Sequence, residues 1–197
     1  MPTLYHYTCR HNLENIEREK KIRRGIFVNQ AGEIEEGKAV NLTTDSDSTG
    51  HGLPDGREFE GNQIKNFRAY AVKDDRKISV DHTAYRLAVD IDCRNTKLSK
   101  VSDLLGIESD LFLNLEASAY HPLDKHLDLF ILNSTRQQIK QRKILGKGNT
   151  WWYYFAEISI DQLTECAAKL PDGTYHPESP DAFWELLRED MQRRAGI

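Results

Sequence analysis

Three stretches of the sequence carry side chains that are suited to chemistry. The first is LYHYT near the N-terminus, in which His6 stands between two tyrosines. The second is AVNLTT, whose residues Thr43 and Thr44 precede a long loop rich in Gly, Asp and Ser. The third is WWYYFAEISI, which contains one carboxylate, Glu157. Taken singly, each has an ordinary explanation: a packed core histidine, strand-end hydroxyls and a solvent-facing strand residue.

Several familiar catalytic and metal-binding motifs are absent from the sequence. LGKGNT differs from a phosphate-binding loop, because Gly148 follows Lys147 where Ser or Thr is required and Gln141 occupies the position of the first glycine. There is no GxSxG, HExxH or EF-hand pattern. His121 and His126 are five residues apart, which places them on different faces of a helix. We therefore expect no metal cofactor.

The first half of the chain predicts strands around one short helix. His6 alternates with the tyrosines of LYHYT, so the histidine and the tyrosines lie on opposite faces of a strand. Asn12 is placed to cap a helix that begins at Leu13 and ends at Gly25. Ala39–Thr44 predicts another strand. The polar loop that follows it is long, and loops of that length are often functional.

The second half predicts further strands, a helical section and a final helix. Phe67–Val72 and Tyr85–Ile91 have the composition of strands, and residues 100 to about 144 are expected to be mostly helical. Trp151–Ile160 is the strongest strand candidate because it is aromatic and β-branched. Ser179 followed by a proline and an acid is a good helix start. This order of elements predicts an α+β fold.

Composition narrows the class of protein. A length of 197 residues suits a single domain over 1–197, with about 95–145 as a helical insertion. The 31 acidic and 27 basic residues give a net charge of −4, which disfavours a generally basic nucleic-acid binder but leaves a local basic patch open. Three cysteines without a CxxC spacing predict reduced thiols. Without a signal-peptide pattern or an apolar run of about 20 residues, we expect a soluble cytoplasmic protein with no membrane partner.

The opening LYHYT, the NLENI that follows and the glycine after it resemble the first strand and helix of the ADP-ribosyltransferase fold. That superfamily includes the poly-ADP-ribose-polymerase-like enzymes, the DarT-type DNA-modifying toxins and the RNA 2′-phosphotransferases. LTTDSDSTGHGLP and WWYYFAEIS are similar to stretches of a group of small bacterial and phage proteins in it. The resemblance covers the N-terminal half and the strand at 151–160. It implies two small β-sheets split around an NAD cleft.

The resemblance also implies NAD as co-substrate and roles for particular residues. His6 would hydrogen-bond a ribose hydroxyl on the adenosine side, and Glu157, the candidate catalytic acid, would bind the 2′-hydroxyl of the nicotinamide ribose. A carboxylate there stabilises the positive charge that develops as the nicotinamide–ribose bond breaks, and it can take a proton from the attacking group. The other residues implied in cofactor binding are Tyr7, Thr8, Thr43 and Thr44. Tyr70 and Tyr85 are both open as the ring that stacks on nicotinamide.

The acceptor of the transferred group is expected to be a macromolecule, with RNA or DNA slightly favoured over protein. Two basic clusters have the charge to contact phosphates. They are Lys20, Lys21, Arg23 and Arg24, and Lys140, Arg142, Lys143 and Lys147. Trp151 and Trp152 follow the second cluster and have rings that can stack on nucleobases, although we expect at least one of them to pack in the core.

The resemblance suggests a role as a toxin, a defence component or a factor in phage–host conflict, with an antitoxin or inhibitor protein as a further partner. Two alternatives stay open. One is an RNA 2′-phosphotransferase-like enzyme, which also uses NAD. The other is a catalytically inactive interaction module on the same fold. Release of nicotinamide separates the enzymes from the module, and transfer of a 2′-phosphate to NAD separates the two enzymes.

Overall fold

The computed structural model describes residues 1–58, 70–121 and 129–196 of the chain. Its strands are β1 (Thr3–Thr8), β2 (Lys21–Ile22), β3 (Gly25–Val28), β4 (Ile34–Thr43), β5 (Tyr70–Lys73), β6 (Arg76–Ser79), β7 (Tyr85–Asp90), β8 (Leu98–Lys100), β9 (Trp151–Tyr154), β10 (Ile158–Ser159), β11 (Leu163–Lys169) and β12 (Tyr175–Glu178). Its helices are α1 (Arg10–Glu19), α2 (Val101–Leu105), α3 (Asp110–Tyr120), α4 (Leu129–Lys140) and α5 (Pro180–Ala195). The predicted α+β class is confirmed.

One mainly antiparallel sheet of eight strands organises the molecule. Its strands run in the order β12-β11-β7-β1-β4-β9-β8, and β3 joins by pairing with β4. Two small two-stranded sheets, β2 with β10 and β5 with β6, lie outside this path. The first strand of the chain therefore lies in the middle of the large sheet, between strands that come from distant parts of the sequence.

The large sheet is nearly divided between β1 and β4. Every residue of Thr3–Thr8 pairs with a residue of Tyr85–Asp90 on β7. Between β1 and β4, which the structure describes completely, the register consists of one pair, Tyr5 opposite Thr43. Since a continuous ladder would hold these strands together along their length, the two halves of the sheet are joined at one point and open beside it.

Different helices cover the two faces of the sheet. On the first face, Leu4 of β1 packs in a core to which α1 contributes Leu13 and α5 contributes Leu187. On the second face, Phe112 of α3 packs in a core with Tyr153 of β9. Along β1, Leu4 and Thr8 are buried, whereas Tyr5, His6 and Tyr7 are half-buried.

Helix α1 begins and ends earlier than the sequence predicts. It starts at Arg10, so Asn12 lies inside its first turn and does not cap it. It ends at Glu19 because Lys20 adopts a left-handed backbone conformation, with φ of 59°. Gly25, predicted as the helix end, begins β3 instead. The basic residues after the helix therefore lie on β2 and the turn that follows it.

The aromatic stretch predicted as one strand forms two strands. β9 ends at Tyr154, and Ile158–Ser159 makes β10, which pairs with β2 and leaves the large sheet. Sequence patterning missed several of the described strands, of which the longest is β11, between β7 and β12. Its Cys166 and Ala167 are consecutive and both buried, so the segment lacks the alternation that reveals a strand.

Other predicted elements are confirmed within the described residues. β4 extends the predicted strand back to Ile34, and β7 matches the predicted strand at Tyr85. Helices α2, α3 and α4 lie in the section expected to be helical, of which residues 122–128 fall outside the description. Ser179 caps α5 by accepting a hydrogen bond from the N–H of Ala182. Of the strand predicted at 67–72, residues 67–69 are also outside the residues that the structure describes. None of the described helices is both long and apolar enough to span a membrane.

Candidate functional site

A cleft of two connected compartments opens where β1 and β4 separate. One compartment has a volume of about 560 Å³ and the other of about 400 Å³. His6, Asn12, Gly25 and Asn41 line both of them, so the two compartments meet at His6. Each volume lies in the range of small-molecule sites, which is roughly 300–1,000 Å³.

The larger volume, called here the aromatic compartment, is walled by flat side chains from several strands. Besides the imidazoles of His6 and His82, its rings are Tyr5, Tyr7, His51, Trp151, Trp152 and Tyr153. The tyrosines, the tryptophans and His51 come from β1, from the loop after β4 and from β9. Such walls suit a planar heteroaromatic group, because an aromatic side chain can stack on the face of any nucleobase.

His6 leaves one of its ring nitrogens for a ligand. Its Nδ1–H donates to the carbonyl oxygen of Asn41 on β4, at 3.0 Å. This bond crosses the opening between the two strands, where the ladder has no backbone pair. Burial lowers the pKa of His6, so the ring is neutral near pH 7 with its proton on Nδ1. Nε2 is then an acceptor without a partner among the described residues, and it is suited to a ligand hydroxyl.

Three residues that line the aromatic compartment each carry a buried polar atom without a partner among the described residues. These atoms are the hydroxyl oxygen of Thr8, Nε2 of His51 and Nε1 of Trp152. A buried polar group without a partner costs about 1–3 kcal/mol. The wall of the aromatic compartment is therefore mainly apolar, but some of its residues carry polar atoms without hydrogen-bond partners.

The smaller volume, called here the basic compartment, is lined by three cations, by amides and by one carboxylate, that of Glu19. Lys21, Arg23 and Arg24 follow α1, and Asn12 and Asn15 project from that helix. Arg23 forms an ion pair with Glu19, and Lys21 forms one with Glu157. In the described part of the chain, Arg24 forms no ion pair. The charge and the amide donors suit an anionic group such as a phosphate.

The structure brings four of the predicted site residues together. His6, Tyr7, Thr8 and Thr43 all line the aromatic compartment. Thr43 is partly committed to the fold, since its hydroxyl donates to the hydroxyl of Thr150 at 2.8 Å. The hydroxyl of Tyr7 is also committed, because it donates to a backbone carbonyl in the loop after β4.

Two other predicted residues, Thr44 and Tyr85, are not among the described residues that line the cleft. Thr44 is exposed at the end of β4, where its N–H donates to the carbonyl of Thr150. The hydroxyl of Tyr85 lies 3.4 Å from a guanidinium nitrogen of Arg10, and its ring packs edge-on against Phe183 of α5. Tyr70 begins β5, but its side chain lies outside the described part of the structure.

Glu157 lies on the surface between β9 and β10. Its carboxylate accepts a hydrogen bond from Lys21 Nζ at 2.7 Å, and this bond lowers the pKa of Glu157. The side chain is 42% exposed and lines neither compartment. The cleft and the candidate acid are therefore connected through Lys21, which lines the basic compartment.

Sequence reasoning missed several residues of the cleft. Asn41 was hidden inside a predicted strand, where a polar residue is a weak signal of a site. His51 lies in the long polar loop, and the length of that loop was the only indication of a role. Within the described residues, no group of three or more His, Cys, Asp and Glu side chains is arranged to hold a metal ion.

Compared with models of protein families, with curated proteins and with solved structures, the chain has no match. The function proposed for the chain therefore rests on the geometry of the cleft and on the resemblance of the sequence motifs to those of ADP-ribosyltransferases.

Proposed function

We propose that this chain binds NAD in the cleft between β1 and β4 and transfers the ADP-ribose part to a macromolecule, with nucleic acid slightly favoured over protein. The observation that carries the proposal is the position of His6. It stands where an aromatic and a basic compartment meet, with one nitrogen fixed by Asn41 and the other unpartnered.

The chemical groups of NAD correspond to the two compartments. A planar base suits the aromatic walls, and a diphosphate suits the cations Lys21, Arg23 and Arg24. A ribose lies between base and diphosphate, so one of its hydroxyls can donate to Nε2 of His6. The unpartnered hydroxyl of Thr8 can serve the same part of the ligand.

Transfer requires a carboxylate that approaches the ribose when the nicotinamide leaves. The acceptor attacks the anomeric carbon, the bond to nicotinamide breaks with its electron pair, and the acceptor's proton passes to the carboxylate. Glu157 takes this part in the proposal, for which it must leave Lys21. An exposed ion pair contributes little net stability, so the exchange costs little.

The first of the two basic clusters is the one beside the cleft. Lys21, Arg23 and Arg24 line the basic compartment, whereas Lys147 of the second cluster is paired with Asp45 at 2.7 Å. A nucleic-acid acceptor would be held by phosphate contacts at the mouth of this compartment. This charge favours nucleic acid over a neutral or basic protein surface.

Two observations support the alternatives. The cations of the basic compartment are also what an RNA 2′-phosphotransferase needs to grip a 2′-phosphate. Arg10 does not serve that purpose, because it pairs with Glu14 and with Asp190 of α5. The surface position of Glu157 is what an inactive NAD-fold interaction module would show.

Incubation of the purified protein with labelled NAD and separate pools of RNA, DNA and cell protein tests the proposal. We expect label in the RNA or DNA pool, with release of nicotinamide, and loss of both in His6→Ala and Glu157→Ala. His176→Ala, an exposed histidine on β12, is the matched control and keeps full activity. Transfer of a 2′-phosphate to NAD would favour the phosphotransferase. Binding of NAD without release of nicotinamide would favour the inactive module.

A further inference from the structure

We infer that Trp151 is the platform on which a heteroaromatic base of the ligand stacks, and that His51 is the positioning residue that holds its indole ring. The inference rests on the proposed function, since it names the base subsite of that cleft. It replaces the two tyrosines that sequence reasoning left open for stacking.

Trp151 combines a packed side with a side in the cleft. It begins β9, packs against the core that contains Phe112 and also lines the aromatic compartment. The neighbouring rings are more committed to the fold. Tyr153 is 7% exposed and packs against Phe27, with ring centroids 5.0 Å apart, and Trp152 packs against the core on the opposite face. A stacking platform needs support behind it and an accessible face, and Trp151 has both.

A chain of polar contacts fixes the edge of the Trp151 ring. Its Nε1–H donates to Nδ1 of His51 at 2.9 Å. Because Nδ1 accepts, the proton of the neutral imidazole is on Nε2, and Nε2 lies 3.5 Å from Oδ2 of Asp45. The same carboxylate oxygen lies 2.7 Å from Nζ of Lys147. The hydrogen bond to His51 therefore orients the indole, and the Asp45–Lys147 ion pair lies behind the imidazole, whose Nε2 makes no hydrogen bond with any described residue.

The loop after β4 cannot easily release His51. The His51 side chain is 4% exposed. Gly52 has a positive φ of 70°, and a Cβ atom there would lie 2.6 Å from the Cα of Ala119 in α3. The loop backbone therefore packs directly against the helix. Such contact makes His51 a fixed support for the ring.

Two residues predicted to bind the cofactor act on this network. The hydroxyl of Tyr7 donates to the backbone carbonyl of Asp45 at 3.0 Å, and the hydroxyl of Thr43 accepts from the N–H of Asp45 at 3.1 Å. Both therefore hold Asp45 in place below His51. Their effect on ligand binding is expected to pass through Trp151.

Tryptophan fluorescence during titration with NAD tests the platform. We expect NAD to quench the wild-type signal. The quenching disappears in Trp151→Phe and persists in Trp184→Phe, which alters an indole in the core with α5. Trp151→Ala weakens binding roughly tenfold to a hundredfold, as loss of one base–aromatic stack does. Quenching that persists in Trp151→Phe would overturn the inference.

Two His51 variants test the support. His51→Ala removes the acceptor and is expected to raise the KM for NAD about tenfold with little change in kcat. His51→Asn keeps an acceptor close to the position of Nδ1 and restores the KM. In a Trp151→Phe background, which has no indole N–H at this position, His51→Ala is expected to cause no further rise in the KM for NAD. The inference would be overturned if the KM for NAD rose equally in His51→Ala and His51→Asn while both variants unfolded at the wild-type temperature. The hydrogen bond to Trp151 would then not be the cause of the change in KM.

Titration with AMP and with nicotinamide mononucleotide separates this inference from the proposed function. If either mononucleotide quenches Trp151 while NAD is neither bound nor cleaved, the base platform stands and the NAD-dependent transferase is wrong. If label is transferred from NAD and no nucleotide perturbs Trp151, the transferase stands and the platform is wrong.

Discussion

The imidazole of His6 serves the fold and the cleft through different atoms. Nδ1–H donates to the Asn41 carbonyl and so replaces a backbone bond at the point where β1 and β4 separate. A histidine that only packed in the core would have both nitrogens satisfied by protein. The unpartnered Nε2 is what distinguishes His6 from that case.

The buried histidines predict how stability depends on pH. Burial lowers the pKa of His6, His51 and His82 below the ordinary value of 6.5. As the pH falls, the unfolded chain therefore binds protons at these histidines before the folded chain does. The stability that the neutral histidines contribute is complete above about pH 6.5 and is lost as the pH falls through their pKa values in the folded protein. We expect His6→Asn to show a smaller loss of unfolding free energy between about pH 7 and 5, measured by urea denaturation. His176→Asn should keep the wild-type slope, and an unchanged slope in His6→Asn would contradict the prediction.

Glu157 can be tested without disturbing the fold. Its ion pair with Lys21 is exposed, so Glu157→Gln should leave the free energy of unfolding close to that of the wild type. Release of nicotinamide should fall by about a hundredfold or more, as loss of an acid–base group does. Lys21→Met breaks the same ion pair and keeps the carboxylate. Wild-type turnover in Glu157→Gln would exclude this residue as the catalytic acid.

At the level of elements, two loops close one end of the aromatic compartment. Lys147, in the short 3-10 turn before β9, pairs with Asp45 in the loop after β4. The turn itself rests on α3, where the carboxylate of Glu116 accepts a hydrogen bond from the N–H of Gly148 at 2.9 Å. The glycines of LGKGNT therefore allow close packing against a helix, and phosphate binding is not required to explain them.

Gly148→Ala tests that packing. A Cβ atom at Gly148 would lie 2.5 Å from Cγ of Glu116 and 2.7 Å from Cζ of Phe112. We expect a loss of about 1–3 kcal/mol in the free energy of unfolding, because the core there has no room for a methyl group. Gly25→Ala is the matched control: its nearest neighbour is a carbonyl oxygen at 4.0 Å, and its cost should stay within about 0.5 kcal/mol. Equal costs in the two variants, read from chemical denaturation, would contradict the packing account.

At the level of the whole molecule, the distribution of charge matters more than its sum. The net charge is −4, yet Lys21, Arg23 and Arg24 converge on one compartment of the cleft. A nucleic acid that binds there would make local phosphate contacts against a generally repulsive surface. Binding of this kind is expected to be selective for the mouth of the cleft and sensitive to salt.

Salt dependence measures this charge directly. Arg24→Gln should weaken binding of a labelled oligonucleotide and reduce the slope of log K against log salt by about 1, because one phosphate contact is removed. Arg94→Gln is the matched control, since Arg94 is exposed, pairs with Asp92 and lines neither compartment. If the two variants shift the slope equally, the basic compartment is not the nucleic-acid site.

What the sequence by itself determined is local. The alternation in LYHYT placed His6 on the face opposite its tyrosines, and the capping pattern at Ser179 located α5. Both signals depend on residues within a few positions of each other, where propensity and periodicity act. The α+β class followed from the order of such signals.

The tertiary structure alone decided which side chains share the cleft. His51 and Trp151 are 100 positions apart, and strand order and register bring them within hydrogen-bonding distance. Glu157 fell outside the cleft because its strand broke after Tyr154, which strand propensity did not show. A side chain's type and face are set by its neighbours in sequence, but its partners are set by pairing and packing across the whole chain.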